Sequence, residues 1–285
     1  MELTRSKKIL IIGLGLLGGS YAKALKRQGF TVNCITKDQS SIDYAKQNNI
    51  IDFGTTEIDE NLIKSSDLII FALYPKVLID WIKENGYMFR EGTIITDVTG
   101  VKSCIVDDIQ NMLPKDVEYI SAHPMAGKEV YGVENSDDGI FKDANYIVVP
   151  TEKNSEDAIT LCEDLGFRLG FARVSRLSPN EHDKMIAFLS QLTHCIAVSL
   201  MCSNEDDNLV KYTGDSFRDL TRIARINENM WSELFLLNKE PLLEEMDVFI
   251  NTFTTLRNHL KNDDVQGMKE MMKLSTKRRK LFDKK

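Results

Sequence analysis

The chain opens on an apolar strand that runs directly into a glycine-rich turn and then a helix: Ile9-Leu10-Ile11-Ile12-Gly13-Leu14-Gly15-Leu16-Leu17-Gly18-Gly19-Ser20. The spacing is G-x-G-x-x-G. Gly13 permits the tight turn, Gly15 lets a ligand approach the backbone, and Gly18 lets the helix pack close to the sheet. Free N–H groups at the start of such a helix bind phosphate. Placed between a strand and a helix at the head of the chain, the motif implies a dinucleotide site made by Gly13, Leu14, Gly15, Leu16, Leu17 and Gly18.

The next 150 residues keep the same rhythm of strand and helix. Short apolar runs over 8–12, 31–35, 68–72, 93–97, 118–122 and 146–149 read as buried strands. Helical stretches over 17–28, 40–48, 77–84, 104–112 and 155–165 lie between them, and Gly29 ends the first as a helix C-terminal residue should. Alternating β and α elements imply a parallel, doubly wound Rossmann-type sheet covered on both faces. Near residue 175 the pattern changes. Ser178-Pro179-Asn180-Glu181 is a capping box with proline at the first helical position. Met185, Ile186, Leu189 and Thr193 then recur at helical spacing, as do Trp231, Leu234 and Phe235, and later Leu242, Met246, Phe249, Ile250, Phe253 and Leu256. The expectation is a dinucleotide-binding α/β domain over 1–175 and an all-α substrate and dimerisation domain over 176–285. The helices carry more apolar surface than one thin layer can cover, which predicts a homodimer built through them.

Composition removes other classes. A net charge of −7 argues against a nucleic-acid surface, and the run Lys277-Arg278-Arg279-Lys280 reads as a solvated last helical turn. Residues 1–8 lack a signal peptide, and no apolar run is read as long enough for a membrane span. Five scattered cysteines without C-x-x-C spacing read as reduced, cytoplasmic thiols. Four histidines, none in a ligand cluster, lead us to expect no metal.

The acid that normally holds the ribose hydroxyls at the end of the second strand is missing. Thr36 stands there, followed by Lys37, with Asp38 two residues late. A neutral donor beside a cation suits a 2′-phosphate, so the reading favours NADP over NAD; the alternative is that Asp38 swings back to the hydroxyls.

His123-Pro124-Met125-Ala126-Gly127-Lys128-Glu129 follows the fifth strand, at the carboxyl end of the sheet where α/β ligands bind. This segment and the glycine loop resemble the prephenate dehydrogenase family. The resemblance continues through Asp97-Val98-Thr99-Gly100-Val101-Lys102, Glu181-His182-Asp183, Ser190-Gln191-Leu192-Thr193-His194, residues 217–224 and Met230-Trp231. It implies oxidative decarboxylation of prephenate with hydride transfer to a nicotinamide. His123 would polarise the ring hydroxyl, a task suited to a group titrating near neutrality. Arg222 would hold a substrate carboxylate bidentately. Thr99 and Lys102 complete the expected catalytic set. Glu129, Ser190, Gln191, His194 and Asp219, with Arg222, make the expected substrate pocket, and Glu129 and Asp219 could form an ionic network with Arg222. For His182 no chemical role is expected beyond capping or lining. The chain departs from the family at Gly100, where serine is usual and Thr99 could supply a hydroxyl instead. It departs again at Gln191 for histidine, and at Asp215-Ser216 for a glycine pair. Asp215 raises arogenate dehydrogenase as the alternative, since an acid favours the aminated side chain. A β-hydroxyacid dehydrogenase is a weaker rival, because its helical lysine in a glycine-rich motif is missing. A dinucleotide sensor without activity would not need His123 and Arg222.

Overall fold

The structure is a computed structural model and describes residues 2–283. Met1, Lys284 and Lys285, at the outer ends of the two expected domains, lie outside the described residues. The first half is β1 (Lys8–Ile12), α1 (Leu16–Arg27), β2 (Thr31–Ile35), α2 (Gln39–Gln47), β3 (Phe53–Thr55), α3 (Glu60–Lys64), β4 (Leu68–Phe71), α4 (Pro75–Asn85), β5 (Ile94–Asp97), α5 (Val106–Met112) and β6 (Glu118–Tyr119). Six strands form one parallel sheet in the order β3-β2-β1-β4-β5-β6. The order reverses between β1 and β4, and the crevice at that switch point is where such sheets bind ligands. Strand residues alternate between two cores. Ile9, Ile11, Leu68 and Ile70 face one, while Leu10, Ile12, Ile69 and Phe71 face the other. Each such buried side chain contributes about 1.5–3 kcal/mol. Gly29, at φ +84°, closes α1: its N–H reaches Lys26 O at 2.9 Å while that of Phe30 reaches Leu25 O at 3.2 Å.

The run that reads as one strand over 118–122 is two. β6 ends at Tyr119, and β7 (Ser121–Pro124) leaves for a second sheet with β8 (Asn145–Val149) and β9 (Arg173–Arg176). β7 and β8 are antiparallel, so the region is not uniformly parallel. The cause is Asp97. Ile120 N still bonds Ile95 O at 2.9 Å, but Ser121 Oγ and Ala122 N then turn to the Asp97 carboxylate, at 2.6 and 3.2 Å. A side chain takes over from the ladder, and the strand peels away. His123 therefore lies inside β7 rather than after a strand of the main sheet. β3 and β9 escape the apolar pattern because one is three residues around Gly54 and the other is the polar run Arg173-Val174-Ser175-Arg176.

After α6 (Glu156–Leu169), the rest is helical: α7 (Pro179–Ile186), a π-helical turn (Ala187–Leu192), α8 (Thr193–Cys202), α9 (Asp215–Thr221), α10 (Glu228–Leu237), α11 (Lys239–Lys261) and α12 (Val265–Arg279). Ser178 and Glu181 form the expected capping box. The expectation that no apolar run is long enough for a membrane span is corrected by Pro179–Cys202. It is one continuous helix, long and apolar enough to cross a membrane by length and composition. The polar residues between Ser190 and His194 hide its length in the sequence. The sheet half yields a direct test of the glycine loop. A Cβ on Gly18 would land on Gly13 O, whereas one on Gly15 would meet nothing within 4 Å. Gly18→Ala should lower the unfolding free energy by about 1–3 kcal/mol in urea titration. Gly15→Ala should stay within about 1 kcal/mol of wild type yet weaken dinucleotide binding.

Candidate active site

At the switch point, α1 presents its N-terminus without any side-chain cap and without an acid in its first turn. Gly13 adopts φ +94°, and a Cβ there would sit 2.6 Å from Ala72 O. Gly15 faces open space. An uncapped helix start beside a glycine that leaves its front clear fits a dinucleotide diphosphate. At the end of β2, Thr36 Oγ1 lies 3.4 Å from Leu14 N, and Lys37 is exposed. Asp38 is turned the other way. Its carboxylate caps α2, accepting from Ser41 Oγ at 2.7 Å, Ser40 Oγ at 3.0 Å and Ser40 N at 3.2 Å. Those bonds, Ser41 foremost, hold it below the usual carboxylate range.

At the end of β5, Asp97 is fully buried and gathers donors on both oxygens. One oxygen accepts from Lys102 Nζ at 2.7 Å, Thr99 N at 2.8 Å and the Thr99 hydroxyl; the other from Ser121 Oγ, Tyr119 OH at 2.9 Å and Ala122 N. Burial alone would raise this carboxyl, but Lys102 and these bonds outweigh it and hold it low. Burial also pulls the Lys102 ammonium below its ordinary value, against the pull of Asp97. Lys102 Nζ further donates to Ala122 O at 2.7 Å. Thr99 and Lys102, expected to meet substrate, thus spend their polar ends inside this cluster. They are supports for the residue after Ala122, which is His123.

His123, in β7, is half-buried. Its Nδ1 lies 2.8 Å from His182 Nε2, and His182 Nδ1 lies 2.7 Å from Asp183 Oδ1. Asp183 also accepts from Lys102 N at 2.9 Å and Ser103 N at 2.7 Å, fastening α7 to the loop after β5. Burial pushes both imidazoles below their ordinary value, His123 strongly, aided by the charge of nearby Lys102. His182 and Asp183 belong to the resemblance over 181–183, where only capping or lining is expected of His182; the fold sets the pair behind His123.

The helical half closes the other side. His194 Nδ1 bonds Ser190 O at 2.8 Å, and its ring lies 3.7 Å from that of Trp231 between centroids. Burial lowers its pKa, and the charges of Glu129 and Arg222 act on it in opposite directions. Arg222 Nη1 meets Glu129 Oε1 at 2.6 Å. Asp219 makes no ion pair with Arg222 among the described residues, so the expected three-member network is a two-member one. Gln191 is not a pocket residue. It is buried, donating to Leu234 O at 3.0 Å and accepting from Asn238 Nδ2 at 2.7 Å. The same Asn238 amide reaches Asp183 O at 2.9 Å. Gly100 sits where an added Cβ would come 3.6 Å from the Leu234 methyls and 4.0 Å from His123 Cε1. The structure therefore sets Gly100 beside His123 and Leu234, and His194 beside Trp231 within the fields of Glu129 and Arg222. It buries Thr99, Lys102 and Gln191.

Two family models match the chain: the nucleotide-binding domain of prephenate dehydrogenase over residues 21–170 and the prephenate dehydrogenase dimerization domain over 178–274. The chain is 30% identical to the cyclohexadienyl dehydrogenase of Zymomonas mobilis, across 97% of this chain and 96% of that one. It is 28% identical to the prephenate dehydrogenase of Bacillus subtilis, across 91% of this chain and 72% of that one. Among solved structures, prephenate dehydrogenase from A. aeolicus in complex with hydroxyphenyl propionate and NAD+ superposes with a TM-score of 0.90 at 29% identity, covering 99% of this chain and all of that one.

The buried cluster makes its own prediction. Lys102→Ala removes the cation and leaves Asp97 charged in the interior, which should cost about 3–5 kcal/mol. Urea and thermal unfolding would register it. A Lys102→Ala protein as stable as wild type would show that Asp97 does not depend on this ion pair.

Proposed function

The chain belongs to the prephenate dehydrogenase family, and from that premise we propose that it converts prephenate to 4-hydroxyphenylpyruvate with His123 as the proton acceptor. The observation that carries this reading is His123, half-buried, its Nδ1 held from behind and its Nε2 without a protein partner among the described residues. A bound nicotinamide dinucleotide supplies the hydride acceptor. The residues supply the rest. His123 takes the ring-hydroxyl proton as hydride leaves the same carbon, and the carboxylate across the ring departs as carbon dioxide. Its bonding electrons complete an aromatic ring, and the proton held on His123 Nε2 returns to the phenolate oxygen to give the phenol. Arg222 binds a substrate carboxylate, displacing Glu129 from the guanidinium. His194 and Trp231 line the side-chain end of the pocket, with Ser190 beneath. Asp219 and Glu129 set the charge around Arg222.

For the dinucleotide we favour NADP. Asp38 is committed to the cap of α2, which leaves Thr36 and Lys37 to meet a 2′-phosphate and weakens the alternative that Asp38 serves the ribose hydroxyls. The A. aeolicus prephenate dehydrogenase, in complex with NAD+, favours the other choice for that enzyme. Arogenate is the second substrate reading. Asp215 does not strengthen it, because its carboxylate is exposed and paired with Arg218 at 2.8 Å.

We divide the chain between residues 175 and 176, before the capping box, and read the helical half as the dimerisation surface. Phe253, Ile250, Leu260 and Leu236 are all more than half exposed in the single chain, and the matched model for this half is described as a dimerization domain. We read the apolar helix Pro179–Cys202 as part of this layer rather than as a membrane span, since Gln191 within it is buried with both ends of its amide bonded. A cytoplasmic enzyme without nucleic-acid or membrane partners follows from that reading.

Steady-state assays crossing prephenate and arogenate with NADP and NAD test the proposal. Prephenate with NADP should give the highest kcat/KM, and activity with neither ring substrate would overturn it. His123→Asn should lower kcat about 10²–10⁴-fold with dinucleotide affinity retained. Because burial holds the His123 imidazole low, its acid limb in kcat/KM should fall below pH 6.5: the base is neutral above its pKa and is lost as pH drops through it. Arg222→Ala should raise KM for the ring substrate on the order of ten- to a hundred-fold, the loss of a charge-assisted bond of about 1.5–3 kcal/mol. An unchanged KM would reduce Arg222 to a surface partner of Glu129.

A further inference from the structure

A histidine can accept a proton at Nε2 only if its own proton sits on Nδ1, and the hydrogen bond made by one ring nitrogen decides where the proton lies. Behind His123 the bonding pattern leaves one consistent assignment. Asp183 receives the backbone N–H groups of Lys102 and Ser103 and is held below its ordinary value, with the bond from His182 the largest effect opposing burial. It is a carboxylate and can only accept. The contact at 2.7 Å therefore requires the proton on His182 Nδ1. His182 is fully buried and kept neutral, so its Nε2 is bare. The contact at 2.8 Å then requires the proton on His123 Nδ1. His123, also neutral, is left with a bare Nε2.

We propose that His182 and Asp183 are positioning residues that lock His123 in the tautomer whose Nε2 faces the cleft as a proton acceptor. The inference rests on the reading of His123 as the base. It gives a role to two residues that the sequence marks only through resemblance and a helix start. The groups bearing on this hydrogen-bonded series are few. Lys102, from the loop after β5, faces both imidazoles and disfavours a second cation. Asp97 at the end of β5 and Asp183 on α7 act on His182 in the opposite sense. Gly100 and Leu234, beside His123, bring no charge. When the hydroxyl proton arrives at Nε2, the Nδ1 proton stays in the bond to His182, and the Asp183 charge faces the new imidazolium through one neutral ring. No proton has to leave the series during the step. The arrangement supports its base from behind, as the carboxylate of a serine-protease triad supports its histidine.

Histidine ring ¹⁵N shifts on the full-length protein without substrate read the tautomers directly. His123 and His182 should both carry their proton on Nδ1 at neutral pH. In His182→Leu, which removes the acceptor, kcat should fall about 10- to 100-fold, the usual loss for an orienting partner, with both KM values little changed. His182→Gln, which offers a carbonyl to the same Nδ1–H, should recover most of that loss. Wild-type His123 protonated on Nε2 would overturn the proposal, as would a folded His182→Leu enzyme with unchanged kcat and pH profile. The ¹⁵N measurement needs no substrate. If neither prephenate nor arogenate is oxidised, the function falls while the tautomer result still decides this inference.

Discussion

The ion pair between Asp97 and Lys102 is the constraint from which the site is built. Taking both charges out of water costs several kcal/mol per ion, and attraction alone does not reliably return that. What makes the pair tenable is saturation: the carboxylate receives six donors from Thr99, Lys102, Tyr119, Ser121 and Ala122. The arrangement is demanding rather than strongly stabilising, and that demand sets geometry. Both the N–H and the C=O of Ala122 are gripped by the pair, so the backbone entering His123 has one available course. The same carboxylate diverts the chain from the main sheet into β7. The backbone of Lys102 then holds Asp183, which places His182. One buried pair thus fixes His123 and the ring behind it.

The helical half is fastened to that frame at a few polar points. Glu233 on α10 caps the N-terminus of α4, accepting from Lys76 N at 2.9 Å, and Asn227 reaches Tyr74 OH at 3.4 Å. α10 carries Trp231 against His194 and Leu234 toward Gly100. Asn238, at the break between α10 and α11, ties Gln191 to the backbone of Asp183. The cleft is therefore shaped by the way α10 spans the two halves. The side chains facing it come from elements distant in sequence, which is the usual benefit of placing a site at a junction.

How much of this is legible in the sequence depends on the physics of each signal. The glycine loop is legible because each glycine answers a local steric demand: Gly13 by its positive φ, Gly18 by the carbonyl it would strike. The buried strands are legible as apolar runs. His123 and Arg222 emerge only through resemblance, since nothing local marks a lone histidine or arginine. Thr99 and Lys102 read as substrate contacts because a hydroxyl and an ammonium beside a motif look reactive. Sequence carries no sign of whether such groups point into a cleft or into a core, and here they point into the core. Asp97 gives no hint that its side chain acts as a strand breaker. Asp38 and Ser41, three residues apart, do follow the local capping rule, and that local bond bears on cofactor choice.

The helix from Pro179 to Cys202 shows how a small backbone irregularity sets which residues a helix presents. Helical spacing places Leu189 and Thr193 on the buried face with Ile186, yet both are exposed, while Gln191 and Leu192 are buried. Buried pairs fall at 182–183, 186–187 and 191–192, so the step across the π turn is five residues rather than four. A π turn widens the ring of the backbone bond and rotates everything beyond it, and such turns gather at functional sites. Before the turn, the helix sets His182 and Asp183 behind His123. Within it, Gln191 enters the layer to meet Asn238. After it, His194 reaches Trp231 and the fields of Glu129 and Arg222. A regular helix would have aligned positions 190 and 194 with 183 and 187, turning His194 toward the face that holds Asp183. The extra residue is what allows one helix to meet His123 with its first turns and Trp231 with its last.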